Sequence, residues 1–278
     1  MFEKVIKSAQ LISLPDIYIK LKALIEDPEY TMAEVANLVG SDPGMATRFL
    51  QVVNSPLNRR IREIETVSHA ISLLGIRQVH DIVLSTSVTM AFEGIENDVM
   101  NMKKFWERSF YCGVMAQQLA LEGEIKESDR FFMFGLLHDI GHLFMYKAIP
   151  GESQQAILNA KNLEQPLYQV ERELLGFDYA KVGAYVMKQW SLPKSVQATT
   201  YFHPEPGKAS QFALESALLH LASLLVRADL EAGIFGEGAL LVDPAAWQLT
   251  SLTEEHCQHA QQISSEQFDA ISQSIFSY

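Results

Sequence analysis

The sequence predicts an all-α protein, and three observations support that prediction. Apolar residues recur at three- and four-residue spacing along most of the 278 residues, as they do on the buried face of a helix. Convincing two-residue alternation, the pattern of a half-buried strand, does not occur. A glycine-rich phosphate loop and a Gly-x-Ser-x-Gly elbow are both absent. We therefore expect a multi-helical bundle.

The amino-terminal helices are predicted from the residues that start them. Leu14-Pro15-Asp16 begins the first clear helix, and Thr31-Met32-Ala33-Glu34 has the spacing of a capping box. Asp42-Pro43 begins another, because aspartate accepts from free amides and proline suits the first helical position. Thr66 is the expected N-cap of a helix that Gly75 ends. The second and third of these helices resemble a helix-turn-helix, a pairing that is common in any helical protein.

The remaining helices follow from apolar periodicity and from capping residues. They are predicted over 76–92, from 103, from a Ser128-Asp129 cap, over 150–163 and 167–174, from Asp178, from Pro193 to about His203, over 212–230, and from a Ser264-Ser265-Glu266-Gln267 cap. The segment 212–230 is strongly apolar, so we expect it to be buried against the centre of the bundle.

The net charge of −12 disfavours unaided binding to nucleic acid or to an anionic membrane, because the field would repel phosphates. Residues 43–62 are a local exception, since they contain no acidic residue but include Arg48, Arg59, Arg60 and Arg62. These arginines form either a solvated basic loop or a docking surface. Nucleic acid is not an expected partner of the chain.

The cellular compartment is predicted from the absence of a membrane-spanning segment and of a signal peptide, and from the small number of cysteines. No apolar run reaches the ~18 residues of a spanning helix, and the first residues lack the basic-then-apolar form of a signal peptide. Cys112 and Cys257 both fall in helical segments, so neither a disulfide framework nor a thiolate zinc site is expected. We expect a cytoplasmic protein without a membrane partner.

A short polar interruption, Gly135-Leu136-Leu137-His138-Asp139-Ile140-Gly141-His142, lies inside an apolar run. An imidazole beside a carboxylate, flanked by glycines that allow close approach, is the minimal nucleus of a divalent-metal site. A hydrolytic site needs three or more protein ligands, so other segments would have to supply the rest. His138 and His142 would share a face of a continuous helix and could bind one metal. Ordinary core histidines are the alternative.

A series of short motifs resembles, in its order along the chain, the HDOD domain, a bacterial module related to the HD-type metal-dependent phosphohydrolases. The motifs are Leu14-Pro15, Asp42-Pro43, Asn54-Ser55-Pro56, Leu74-Gly75-Ile76, Trp106 with Ser109, Leu137-His138-Asp139-Ile140-Gly141, Gly176-Phe177-Asp178, Val182-Gly183, Trp190-Ser191-Leu192-Pro193 and His203-Pro204. The resemblance covers about residues 8–230 and implies an HD-domain-like bundle. Its expected parts are an N-terminal helical subdomain at 8–95, an HD-like core at 101–230 and a variable helical tail at 231–278.

The resemblance also implies which residues form the remnant of the HD site. His138 and Asp139 match the pair for which HD proteins are named. Four further ligand positions of the family fall on Arg108, Tyr179, His203 and Ser223. Arg108 removes a ligand, because a guanidinium has no lone pair to donate and repels a divalent cation. Ser223 and Tyr179 are protonated near neutral pH and are poor ligands.

The ligands that remain are His138, Asp139 and His203, which are too few for a hydrolase. We hypothesise that Arg108 takes the place of the metal through a bidentate contact with Asp139. In the alternative, Arg108 faces solvent and Asp139 bonds only to its own segment.

The expected function is therefore a non-catalytic module of bacterial signal transduction that acts as a scaffold for a protein partner and needs no cofactor. The alternative is a metal-dependent phosphohydrolase of a nucleotide or cyclic nucleotide, with a divalent metal at His138, Asp139 and His203 and with residues that the sequence does not identify completing the set of ligands. A third interpretation is nucleic-acid binding through the four arginines between 43 and 62. The tail is expected to pack on the core or to recognise a partner.

Overall fold

The computed structural model describes residues 1–54, 64–92, 99–230 and 242–275. Within these ranges the regular secondary structure is helical and contains no strand, which confirms the all-α prediction. No helix in the described part of the chain is long and apolar enough to cross a membrane.

The chain forms two compact units. The larger unit comprises Met1–Leu11 and Glu96–Ser265, and the smaller unit comprises Ile12–Ile95 and Glu266–Tyr278. The subdomain boundaries expected from the resemblance, at 95, 101 and 230, stay a prediction.

The described residues in the first segment of the smaller unit form the helices α2 (Asp16–Glu26), α3 (Met32–Gly40), α4 (Pro43–Val53) and α5 (Val67–Ala91). The predicted capping box is present, because the Glu34 amide donates to Thr31 Oγ1 at 3.2 Å and the Thr31 amide donates to Glu34 Oε2 at 2.8 Å. Asp42 caps α4 by accepting from the Met45 amide at 2.9 Å. Gly75 ends the first helical part of α5, as predicted: its φ of 74° and ψ of 162° are non-helical, a conformation that favours glycine, and the second part continues from it across a kink.

Helices α2, α3 and α4 all pack on α5, and large side chains such as Tyr18, Leu21 and Phe49 are fully buried. A polar contact joins α2 to α5: the Tyr18 hydroxyl lies 3.2 Å from His80 Nε2, and His80 Nδ1 lies 3.0 Å from Asp81 Oδ1. Because a carboxylate only accepts, His80 donates from Nδ1 and Tyr18 donates to Nε2.

The larger unit contains the helices on which the His-Asp pair depends. They are α1 (Phe2–Ala9), α6 (Met102–Glu122), α7 (Arg130–Leu137), α8 (Ile140–Ala148), α9 (Pro150–Leu163), α10 (Leu167–Leu175), α11 (Tyr179–Gln189), α12 (Lys194–Phe202), α13 (Ala213–Leu230), α14 (Pro244–Thr250) and α15 (Glu254–Ile275), the last of which belongs to this unit as far as Ser265. α6 packs on α7 and α13, and α11 packs on α8 and α12. The pair lies where α7 meets α8.

Two capping predictions in this unit are wrong. Asp129 precedes α7 but accepts from the Gln117 side chain at 2.9 Å and makes no capping bond. The last helix does not begin at Ser264, which is buried inside α15. Its start at Glu254 is capped by Thr253, whose hydroxyl accepts from the His256 amide at 3.3 Å.

Part of the predicted tail packs within the larger unit. α14 contacts α13, and the Asp243 amide donates to His220 Nε2 at 3.0 Å. Further along, His259 Nδ1 of α15 lies 2.7 Å from Glu122 Oε1 at the end of α6. These contacts give the described tail residues of this unit a packing role.

Candidate functional site

His138 and Asp139 form the junction between two helices. α7 ends at Leu137 and α8 begins at Ile140, so the pair itself is the break. Both side chains are buried, at 5 % exposure each. His138 and His142 therefore do not lie on one continuous helix, which is the arrangement that the two-histidine metal site assumed.

Two glycines beside the pair bring other helices into contact with it. A Cβ on Gly135 would lie 2.4 Å from the Cys112 carbonyl oxygen of α6, and a Cβ on Gly141 would lie 1.9 Å from the Tyr179 carbonyl oxygen of α11. Since no real Cβ approaches so closely, only glycine fits at either position. α6 thereby places Arg108, one turn before Cys112, beside the pair.

The Asp139 carboxylate is shared by two cations. Its Oδ2 accepts a hydrogen bond from Arg108 Nη2, and its Oδ1 accepts from His142 Nδ1 at 3.0 Å. Burial alone would raise the pKa of Asp139, but Arg108, His142 and His138 outweigh burial and hold it well below its usual range. The expected Arg108 contact is thus present, but it uses one carboxylate oxygen and is not bidentate.

His142 lies between two carboxylates. Its Nδ1 faces Asp139, and its Nε2 lies 3.1 Å from Oε1 of Glu171, a residue of α10 that is only 1 % exposed. Burial lowers the pKa of His142, but the two carboxylates outweigh it and raise the pKa to about 9. The ring is therefore an imidazolium at neutral pH. It is stacked between the rings of Tyr146 and Tyr179, with centroids 5.0 and 4.1 Å away, an arrangement that favours a cation.

His138 and His203 are neutral histidines. His138 Nδ1 lies 2.6 Å from the Gly135 carbonyl oxygen and His203 Nδ1 lies 2.7 Å from the Thr200 carbonyl oxygen. Because a carbonyl only accepts, each Nδ1 carries the proton. Burial lowers the pKa of both rings. The two rings meet edge to face, with centroids 5.3 Å apart.

Tyr179 connects three parts of the site. Its hydroxyl donates to His203 Nε2 at 2.9 Å, and its amide donates to Glu171 Oε2 at 3.0 Å. Burial raises the pKa of Tyr179 well above its usual value, so the hydroxyl keeps its proton. Asp178 places this residue at the start of α11 by accepting from the Lys181 amide at 2.8 Å, a cap that was predicted.

Ser223 forms its hydrogen bond within α13. Its hydroxyl donates to the His220 carbonyl oxygen in its own helix at 2.9 Å. His220 contacts the site indirectly, because its Nδ1 donates to the His203 carbonyl oxygen at 2.8 Å. Of the arginines predicted as a docking surface, Arg48 is half-buried in the smaller unit, while Arg59, Arg60 and Arg62 lie outside the described residues.

Sequence reasoning missed the contribution of Glu171. The signal that could have found it is its register in α10: it stands four residues after Leu167 and next to buried Val170, on the inner face. An acidic residue at a position that periodicity assigns to the interior indicates a buried partner.

The donor atoms of this site do not fit a divalent metal. Both Asp139 oxygens accept from cations, both His142 nitrogens face carboxylates, and His203 Nε2 accepts from Tyr179. A metal ligand must offer a lone pair that is not already engaged. In the part of the chain that the structure describes, no group of three or more His, Cys, Asp or Glu side chains is arranged to hold a metal ion.

An all-helical bundle with a buried His-Asp pair at a helix junction defines the class of HD-type proteins, whose founding members are metal-dependent phosphohydrolases. Residues 11–206 match the family model of the HDOD domain. The chain therefore belongs to the HDOD family, as the motifs predicted.

Known structures and relatives agree with this assignment. A Shewanella amazonensis protein provisionally assigned as a phosphohydrolase has a TM-score of 0.74 and 18 % identity, with 97 % of each chain covered. An HDOD domain protein of unknown function from Geobacter sulfurreducens has a TM-score of 0.68 and 18 % identity, with 96 % of this chain and 97 % of that chain covered. At these identities the likeness is one of fold.

A curated relative is an uncharacterised protein of Treponema pallidum, 23 % identical over 194 residues. The match covers 68 % of this chain but only 37 % of that protein. The chain thus spans little more than a third of the length of the relative.

Proposed function

We propose that this chain is a non-catalytic regulatory module of signal transduction, whose HD-type fold serves as a scaffold for a protein partner. The observation that carries the proposal is the sharing of the Asp139 carboxylate between Arg108 and His142. Two protein cations stand where a hydrolase would need a metal ion, and both are fixed by the fold.

The charge of the cluster supports a structural role. Arg108 and His142 contribute two positive charges, and Asp139 and Glu171 contribute two negative charges. Buried charges are tolerated when they are paired and hydrogen-bonded, and adding a dication to a balanced cluster would leave its charge uncompensated. Water activation by a bound metal is therefore not the chemistry that these residues favour.

Metal analysis of the purified full chain tests the proposal. The protein would be prepared in metal-supplemented medium without chelators, and its Fe, Mn, Ni and Zn content measured against protein concentration. We expect well below one metal ion per chain and no hydrolysis of nucleotides or cyclic nucleotides when Mn²⁺ is added. A stoichiometric metal that is lost in His138→Ala but kept in His259→Ala, an exposed histidine on α15, would reject the scaffold.

One observation keeps the phosphohydrolase as a second candidate. His138 and His203 are neighbours, and His138 Nε2 lies 3.9 Å from Asp139 Oδ1. These are the three ligands that the sequence identifies for the alternative, and Arg108 would have to leave Asp139 before a metal could enter. Under that function Arg108→Ala would increase the metal content, whereas the scaffold proposal expects it to remain low.

A further inference from the structure

The tail is connected to the HD site through the imidazole of His220 in α13. Its Nδ1 donates to the His203 carbonyl oxygen at 2.8 Å, and its Nε2 accepts from the Asp243 amide at 3.0 Å. A ring that donates from one nitrogen and accepts at the other is neutral, and its two partners fix the tautomer. The residue is only 5 % exposed, so both hydrogen bonds are shielded from water.

His203 joins this connection to the site. Its carbonyl group accepts from His220, while its own ring is held by two further hydrogen bonds. Nδ1 donates to the Thr200 carbonyl oxygen at 2.7 Å, and Nε2 accepts from the Tyr179 hydroxyl at 2.9 Å. The residue directly follows the last residue of α12. A shift of its backbone would therefore also shift the acceptor of the Tyr179 hydroxyl.

Asp243 attaches the tail to the rest of the larger unit. Besides the bond from its amide to His220, its Oδ2 accepts from the Gly207 amide at 3.2 Å and its Oδ1 caps α14 by accepting from the Ala245 amide at 2.9 Å. His220 and Asp243 both lie beyond residues 11–206, which match the family model, whereas His203 lies within them. The connection thus links the family-matched part of the chain to the tail that follows it.

The two hydrogen bonds of the His220 ring depend on each other. Loss of the Asp243 amide would leave Nε2 as a buried acceptor without a donor, which is unfavourable. Rotation to another side-chain rotamer would turn Nε2 toward water, but the same rotation takes Nδ1 away from the His203 carbonyl oxygen. A side chain with two discrete arrangements is the kind of element that can couple two separate sites.

We propose that His220 couples the docking of the tail at Asp243 to the Tyr179–His203 contact of the HD site, so that a partner which takes up the tail loosens the site. With the tail docked, the ring holds the His203 carbonyl group in place. When the tail leaves, the end of α12 loses that hydrogen bond and Tyr179 loses a fixed acceptor. The inference deepens the proposed scaffold role and rests on it, because it makes the tail the segment through which the protein partner acts.

The histidine tautomer in the wild-type chain provides the first test. Nitrogen NMR spectra of the imidazole rings distinguish a protonated from an unprotonated ring nitrogen. We expect His220 to carry its proton on Nδ1 at neutral pH. A proton on Nε2 would overturn the proposal, because that nitrogen could not then accept from the Asp243 amide.

Hydrogen exchange in Asp243→Pro measures the coupling from the tail to the site. The φ of −57° at this position suits proline, so the substitution removes the amide hydrogen without straining φ. We expect the Tyr179 amide, which donates to Glu171, to exchange at least about fivefold faster than in the wild type. Amides of α9 should keep their wild-type rates. Unchanged exchange at Tyr179, or equal acceleration in α9, would reject the coupling.

Asp243→Ala is the matched control, because it loses the carboxylate, as the proline variant does, but keeps the amide. The Tyr179 amide should exchange more slowly in this variant than in Asp243→Pro. Equal rates in the two variants would assign the effect to the carboxylate contacts with Gly207 and Ala245, and they would reject His220 as the link.

The reverse experiment decides the question even if Asp243→Pro fails to fold. Coupling between two sites is reciprocal, so Tyr179→Phe should accelerate exchange of the Asp243 amide by at least about fivefold. Tyr18→Phe removes the same kind of hydroxyl–imidazole contact from the smaller unit and should leave that amide unchanged. Wild-type exchange of the Asp243 amide in Tyr179→Phe would overturn the proposal. Since exchange does not report metal content, this failure would leave the scaffold role to be decided by the metal analysis.

Discussion

Arg108 of α6 and Asp139 at the α7–α8 junction are joined by a hydrogen bond from Nη2 to Oδ2. The aspartate is 5 % exposed, and 31 % of the arginine side chain is exposed. The pair therefore anchors a buried anion to a cation at the edge of the larger unit. Much of the stability of this region should depend on that contact.

Arg108→Met should destabilise the chain, because it leaves Asp139 buried with one of its two cations removed. Breaking a buried pair costs about 3–5 kcal/mol, and the partial exposure of Arg108 reduces our expectation to about 2–3 kcal/mol. Urea unfolding followed by circular dichroism measures the loss. Lys104→Met, at an exposed position of the same helix, is the matched control, and equal stability of both variants would contradict the anchoring role.

Stability should fall as the pH rises from about 6.5 to 9. The pKa of His142 is raised from 6.5 in the unfolded chain to about 9 in the folded chain. Its contribution is therefore complete below the unfolded pKa and is lost as the pH passes through the folded value. Urea unfolding at a series of pH values measures this decline.

Glu171→Gln provides the internal comparison for the pH dependence. With one carboxylate removed, the pKa of His142 should fall. The loss of folding stability with rising pH should therefore begin at a lower pH than in the wild type. A wild-type profile that is flat between pH 6.5 and 9 would show that His142 is not the imidazolium described here.

Stability should also fall in acid. The pKa of Asp139 is held below its usual value of 3.8 in the folded chain. Its contribution is present above the unfolded pKa and is lost as the pH falls through the folded pKa. In Asp139→Asn the free energy of unfolding should fall less than in the wild type between about pH 4 and 2. Urea unfolding of the variant and of the wild type across that range measures the difference.

Gly141→Ala should be severely destabilising. The new methyl group would lie 1.9 Å from the Tyr179 carbonyl oxygen and 2.8 Å from the Gly183 nitrogen, so α8 and α11 would have to separate. Overpacking of this kind costs about 3 kcal/mol or more. Gly151→Ala, where nothing lies within 4 Å, should be neutral or slightly stabilising, and comparison of the two melting temperatures checks the prediction.

Tyr179→Phe should cost about 1–2 kcal/mol, because the buried His203 Nε2 loses the donor that satisfies it. Tyr185→Phe, at a more exposed position of the same helix, should change little. Chemical denaturation of both variants distinguishes them, and equal effects would assign the loss to general packing.

The fold could be predicted because local rules decide most of it. The capping box at Thr31 and the N-caps at Asp42 and Asp178 were predicted from a few neighbouring residues, and each is present. Asp129 and Ser264 show where local rules fail. Asp129 instead accepts from Gln117 of the preceding helix. α15 begins well before Ser264, and its buried residues Cys257 and Ala260 belong to that earlier part.

The site could be predicted only in part, because its contacts cross between helices. Motif order placed Arg108, Asp139, Tyr179 and His203 in one region, and the structure brings these four together. No residue near His142 in the sequence indicated that its ring would pair with the Glu171 carboxylate, 29 residues away. That pairing requires knowledge of how α8 and α10 meet.

The corner at Asp139 also has a consequence for how the protein assembles. Asp139 immediately precedes α8 but makes no capping bond, because its carboxylate points to Arg108 and His142. One of the two partners thus lies 31 positions earlier in the chain, and an isolated peptide of residues 130–148 would keep only the local contact with His142. We expect this corner to form late in folding, after α6 has docked. A contact between residues distant in sequence forms only after the entropy of the intervening chain has been reduced.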